Sequence, residues 1–131
     1  MNPEMQEKLN SQIKMEGYAS FLYLSMSTWC DFHGLIGCAK FLKRQADEER
    51  MHMMKLVEYM QEMDVQPVIP AISQPPSDFG EINTMFEEVL AHEQKVTHSI
   101  NDLVEFASKN KDHSTYYFQQ WYDEEQREEE N

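Results

Sequence analysis

Glycine is scarce in this chain of 131 residues, with four in all, and cysteine scarcer, with two. So little glycine leaves few places for the tight reversals of an antiparallel sheet, while the abundance of Leu, Met, Glu, Gln and Lys favours helix. Cys30 and Cys38 form neither a CxxC pair nor a disulfide framework, so they are expected to be two buried, reduced thiols. Positive charge is also short. Against 24 acidic side chains stand 11 basic ones, a net charge of −13 that argues against nucleic acid as a partner and favours cations. No apolar run approaches the roughly 20 residues needed to span a bilayer. Met1-Asn2-Pro3-Glu4 does not begin a basic-then-apolar leader, so the protein is expected to be cytoplasmic.

Proline is rare except in one place. Four of the five fall in the stretch from Asp64 to Gly80, which cannot be regular helix. Extended, those seventeen residues reach about 55 Å. That exceeds the length of a 28-residue helix, about 40 Å at 1.5 Å per residue, so the segment is expected to run the length of a helical bundle as a crossover. Around it the pattern predicts four helices. The first starts at Pro3, capped by Asn2, and ends near Cys30 before an Asp31-Phe32-His33-Gly34 turn. The second covers about Leu35 to Met63 and the third about Glu81 to Lys109. The fourth begins after Asn110-Lys111-Asp112, with Asp112 as its cap. The first is apolar over more than one face, which implies burial by its own bundle and by a neighbouring subunit.

What is present is a set of carboxylates where apolar residues belong. Glu49 shares a stripe with Leu42, Leu56 and Met60, within about 20–40° at 100° per residue. His52 is three positions on, so carboxylate and imidazole project from neighbouring points of one face, a metal-ligand spacing. Glu16 sits in a narrow polar strip with Ser20, Tyr23 and Ser27, and Glu93 interrupts the stripe of Phe86, Leu90, Val96 and Ile100. Each of the three glutamates is near the middle of its helix and therefore at one height in a bundle, whichever way the helices run. Three buried anions with no lysine or arginine on their stripes repel one another unless protons or cations neutralise them. Oxygen donors with one imidazole suit iron or manganese.

These residues resemble the bacterial non-haem ferritins, from Leu9-Asn10-Ser11-Gln12 through Glu48-Glu49-Arg50-Met51-His52, the crossover and His92-Glu93-Gln94 to the run Trp121-Tyr122-Asp123-Glu124-Glu125-Gln126-Arg127-Glu128-Glu129. The resemblance covers essentially the whole chain. It implies one all-α, ferritin-like four-helix domain over residues 1–131, with a long crossover between the second and third helices. On equal helix lengths Glu129 reaches the level of the other glutamates only if the fourth helix runs some 12–15 residues past Asn131. That helix is therefore expected to be truncated, and the family's short fifth helix absent.

Carried over by position, the resemblance puts a first iron on Glu16, Glu49 and His52 and a second on Glu49, as bridge, with Glu93 and Glu129. Tyr23 and Gln126 support them. Glu48, Glu125 and Glu128 match a third iron site of the family, or are simply a solvated acidic face. The implied activity is that of a ferroxidase. Fe²⁺ is oxidised by dioxygen or hydrogen peroxide, and ferric oxyhydroxide is stored in a homo-oligomeric cage of 24 subunits. The alternatives are a ferritin-like di-metal oxidoreductase or peroxidase that stores nothing, and a catalytically silent helical scaffold. No haem is expected, since bacterioferritin's haem-ligating methionine has Arg50 in its place. His92-Glu93 does not open a zinc-protease HExxH, because position 96 is Val. His92 itself points about 100° away from Glu93 and is expected to lie off the metal. His33, His98 and His113 are expected at the surface or in caps.

Overall fold

The computed structural model describes the backbone of residues 1–130 and side chains as far as Glu128. Four helices follow in order: α1 Pro3–Phe32, α2 Ile36–Glu62, α3 Ile82–Lys109 and α4 His113–Glu130. The side chain of Asn2 accepts from the Glu4 amide at 2.8 Å, and Pro3 stands at the first helical position. At the other end of the chain, Asp112 caps α4 by accepting from the Thr115 amide at 3.1 Å and its hydroxyl at 2.7 Å. Both caps answer helix-end N–H groups that the helix cannot satisfy itself.

α1 runs two residues further than its pattern predicted, through Asp31 and Phe32. It stops at Gly34, whose φ of +77° lies in the left-handed region. The Leu35 amide then reaches back to Cys30 O at 2.8 Å and the Gly34 amide to Asp31 O at 3.1 Å, the paired closure that satisfies the last carbonyls of a helix. α2 and α3 end the same way without glycine. Asp64 and Lys111 adopt φ of +59° and +56°, with Val65 bonded to Met60 O and Asp112 to Ala107 O, both at 2.9 Å.

The proline-bearing segment is a crossover laid along α1. Val68 N donates to Asn10 Oδ1 at 2.9 Å, Ser25 Oγ to Pro76 O at 2.6 Å, and Trp29 Nε1 to Asp78 Oδ1 at 3.2 Å. Between these ties Ile72 sits over Gly17, where a Cβ would come within 2.9 Å of Ile72 Cδ1 and 3.2 Å of Met53 Sδ. Gly17 is the notch through which the crossover approaches the helix.

The core is divided. One cluster gathers Met5, Leu9 and Ile13 of α1 with Leu56 and Met60 of α2 and Val96, Ile100 and Leu103 of α3. The other gathers Ala19, Leu22 and Met26 with Ala39, Leu42, Ala46, Phe79 and Met85. In every one of these three helices the residues between the two clusters include the predicted glutamate. Phe21, Leu24 and Phe32 of α1 and Ile36 and Phe41 of α2 stay exposed in the single chain. Cys30 is buried, but Cys38 is only half-buried, because it stands at the open start of α2; both are free thiols. Among the described residues no helix is long and apolar enough to cross a membrane.

Candidate metal centre

The polar layer between the two clusters is a site. Glu16, Glu49 and His52 are completely buried, and one ligand atom from each falls within 4.8 Å of the other two. His52 Nδ1 is 3.3 Å from Glu16 Oε2 and 3.4 Å from Glu49 Oε2. A single N–H at Nδ1 cannot donate fully to both carboxylates, so the trio is short of positive charge. Burial, and next the charge of Glu16, push the Glu49 carboxyl well above its ordinary value, with His52 pulling the other way. Among the described residues no lysine or arginine is buried. Hard oxygen donors around a charge deficit and one imidazole nitrogen are the setting in which a divalent cation binds best.

Glu93 enters the layer from α3, buried at 5% exposure. Tyr23 donates its hydroxyl to Glu93 Oε1. Gln126 donates from Nε2 to Glu93 Oε2 at 2.6 Å and to the Glu93 carbonyl at 3.0 Å. Both oxygens of this carboxylate are thus oriented by neutral donors. The Tyr23 phenol is pushed far upward, by burial first and then by Glu93, so it keeps its proton and remains a donor.

The remaining sequence-derived candidates are spread more widely. Glu125 Oε2 is 4.0 Å from His52 Nε2 and partly exposed. Glu48 and Glu128 are exposed. Among the described residues only Glu16, Glu49 and His52 form a group within reach of one ion. The side chain of Glu129 lies outside the described residues. His92 is partly buried, its ring 6.2 Å from that of Tyr23 and 6.0 Å from that of Tyr18, and burial lowers its proton affinity. His33 takes the α1 end, 2.8 Å from Trp29 O, and His98 pairs on the surface with Asp102 at 3.7 Å.

Two residues of the layer escaped the sequence pattern. Tyr122 is buried with its ring 5.4 Å from that of His52, and its phenol is pushed upward by burial and then by Glu16 and Glu49. Gln12 is buried one helical turn before Glu16 and accepts from Ser99 Oγ at 2.8 Å. Their i,i+4 spacing to Gln126 and Glu16 was the available signal.

Known proteins share this four-helix fold. The ferritin-like domain family matches residues 6–131. The bacterial non-heme ferritin of Escherichia coli O6:H1 is 42% identical over 130 residues, spanning 99% of this chain and 79% of that protein. That of Campylobacter jejuni is 44% identical over 130 residues, 99% of this chain and 78% of its own length. Among solved structures, Chlorobium tepidum ferritin superposes with a TM-score of 0.96 at 38% identity, over 99% of this chain and 79% of that one. The open-pore ferritin of Archaeoglobus fulgidus gives 0.96 at 42%, over 99% and 80%.

Proposed function

This chain belongs to the ferritin family, and from that premise we infer how its buried layer serves an iron-storing ferritin with ferroxidase activity. The observation that carries the inference is the trio of Glu16, Glu49 and His52, fully buried with one ligand atom from each within 4.8 Å of the others, and with no buried lysine or arginine among the described residues. Fe²⁺ is the substrate. The first ion takes Glu16, Glu49 and His52. The second takes Glu93 and Glu129, with Glu49 shared between the two.

The chain's own contribution is placement and charge. Tyr23 and Gln126 each hold one oxygen of Glu93, so the carboxylate needs little reorganisation when a cation arrives. Anionic oxygen donors favour Fe³⁺ over Fe²⁺ and so promote loss of one electron from each ion. Dioxygen or hydrogen peroxide is the acceptor we assign. Glu125, set 4.0 Å from His52 Nε2, leads outward with Glu48 and Glu128 as a third iron position through which the product leaves. The net charge of −13 draws Fe²⁺ toward the assembly.

Oligomeric cage assembly accompanies iron storage in this family, and we assign 24 subunits. The exposed Phe21, Leu24, Phe32, Ile36 and Phe41 supply apolar surface for neighbouring chains to cover. The two free thiols fit a reducing, cytoplasmic setting.

Aerobic addition of Fe²⁺, followed by near-ultraviolet absorbance, tests the assignment. Fast oxidation saturating at about two ions per chain is expected for the parent, and a loss of about a hundredfold or more in initial rate for Glu49→Ala. Equal rates in the two proteins would sink it.

A further inference from the structure

A cavity of about 410 Å³ opens between α1, the crossover and α3. That volume falls within the range of small-molecule sites. Met15 and Ile72 supply apolar wall, Tyr18 and His92 supply rings, and Lys14 and Lys95 stand at its edge. Three features set it apart from a crevice left by imperfect packing.

The first is charge. In a chain with 24 acidic and 11 basic side chains, the cavity lining contains two lysines and no carboxylate. Neither ammonium forms an ion pair among the described residues. The second is an unmet polar atom: His92 Nε2 is buried without a hydrogen-bond partner, and such atoms normally find one in protein, water or ligand. The third is the wall. The Ile72 side chain lies against Gly17, and the crossover on either side is tied to α1 at Asn10 and Ser25. The cavity is therefore built on tethered backbone, as a preformed site should be.

We propose that this cavity binds a small organic anion, with a carboxylate or phosphate head between Lys14 and Lys95 and an apolar body lying against Met15, Ile72 and the Tyr18 and His92 rings. Two ammoniums favour a single anionic head through charge-assisted hydrogen bonds. Aromatic and aliphatic walls favour a body that a bare inorganic ion lacks. The site uses none of the residues assigned to iron, so it stands or falls apart from the ferroxidase chemistry.

Calorimetric titration of the intact protein, at constant ionic strength, tests this with benzoate and phenyl phosphate as anionic probes and benzyl alcohol as the neutral counterpart. One saturable site per chain is expected, with benzyl alcohol about tenfold or more weaker than the better anion, since it lacks the charge-assisted contacts. Lys14→Gln/Lys95→Gln should weaken the anion by about tenfold or more. Lys40→Gln/Lys43→Gln removes the same charge from exposed positions of α2 and should change it by less than about twofold. Binding of only one of the two anions still supports the site and identifies its head group. No saturable binding, equal affinity for benzyl alcohol, or equal weakening in the two double variants would overturn the proposal.

Discussion

The hydroxyl of Tyr23 on α1 donates to Glu93 Oε1 on α3, joining residues 70 apart in sequence at the level of the buried glutamates. Because its phenol is held protonated, this is a fixed donor facing a fixed acceptor. Tyr23→Phe should therefore destabilise the metal-free protein by about 1–3 kcal/mol, the range for leaving a buried hydrogen-bonding group without its partner. It should also slow Fe²⁺ oxidation by about tenfold, as Glu93 loses the partner that orients it. Urea midpoints and initial rates measure the two effects. If neither moves, the Tyr23–Glu93 contact is not organising the layer.

Glu49 gives a pH signature of definite sign. Its carboxyl is raised in the folded, metal-free state above the ordinary 4.5, so the folded protein binds that proton more tightly than the unfolded chain does. The stability contributed by this group is complete below about pH 4.5 and is lost as pH rises through the raised value. Glu49→Gln, which resembles the protonated form at every pH, should match the parent near pH 4 and exceed it at pH 7 by about 1–3 kcal/mol in chelated protein. Unfolding curves at several pH values check it. An offset that stays constant with pH would show that Glu49 is not the group responsible.

The three matching helix ends make a graded set. Asp64 and Lys111 occupy the left-handed region that Gly34 occupies without strain. Asp64→Gly and Lys111→Gly should each stabilise the fold by about 0.5–1 kcal/mol, and Gly34→Ala should cost about 1 kcal/mol. A Cβ at Gly34 meets nothing within 4 Å, so that cost is purely conformational. Asp64→Gly should gain more than Lys111→Gly, since it also removes an anion from the negative end of α2 while Lys111 favours the end of α3. Thermal melts rank the variants, and the reverse order would show that the charge at the helix end does not separate the two sites.

The helices were legible because their signals are local. Pro3 after Asn2, Asp112 before α4 and the prolines of the crossover act within a turn or two of where they stand. Glu16, Glu49 and Glu93 were legible as one layer because a helix rises by a constant amount per residue, so mid-helix positions coincide in height without knowledge of packing. Tyr122 was not, because a tyrosine on an apolar stripe reads as core until a neighbouring helix is seen to bring His52 against its ring. The end of α1 came two residues late because Asp31 and Phe32 carry no stop signal, while Gly34 does. The cavity beside Lys14 and Lys95 was invisible for a different reason. It depends on the path of the crossover, which proline excludes from helix but does not route.

The division of the apolar interior into two clusters has a consequence for how the molecule comes apart. Two hydrophobic half-cores separated by a polar storey are coupled mainly through the helices that thread both, so in the metal-free protein one half can loosen while the other holds. On the proposed assignment, a cation held by Glu16 and Glu49 from adjacent helices would be a rivet through that storey. Opening at one end would then be costly at the other, so the ions taken up as substrate would also convert two partly independent folding units into one cooperative whole.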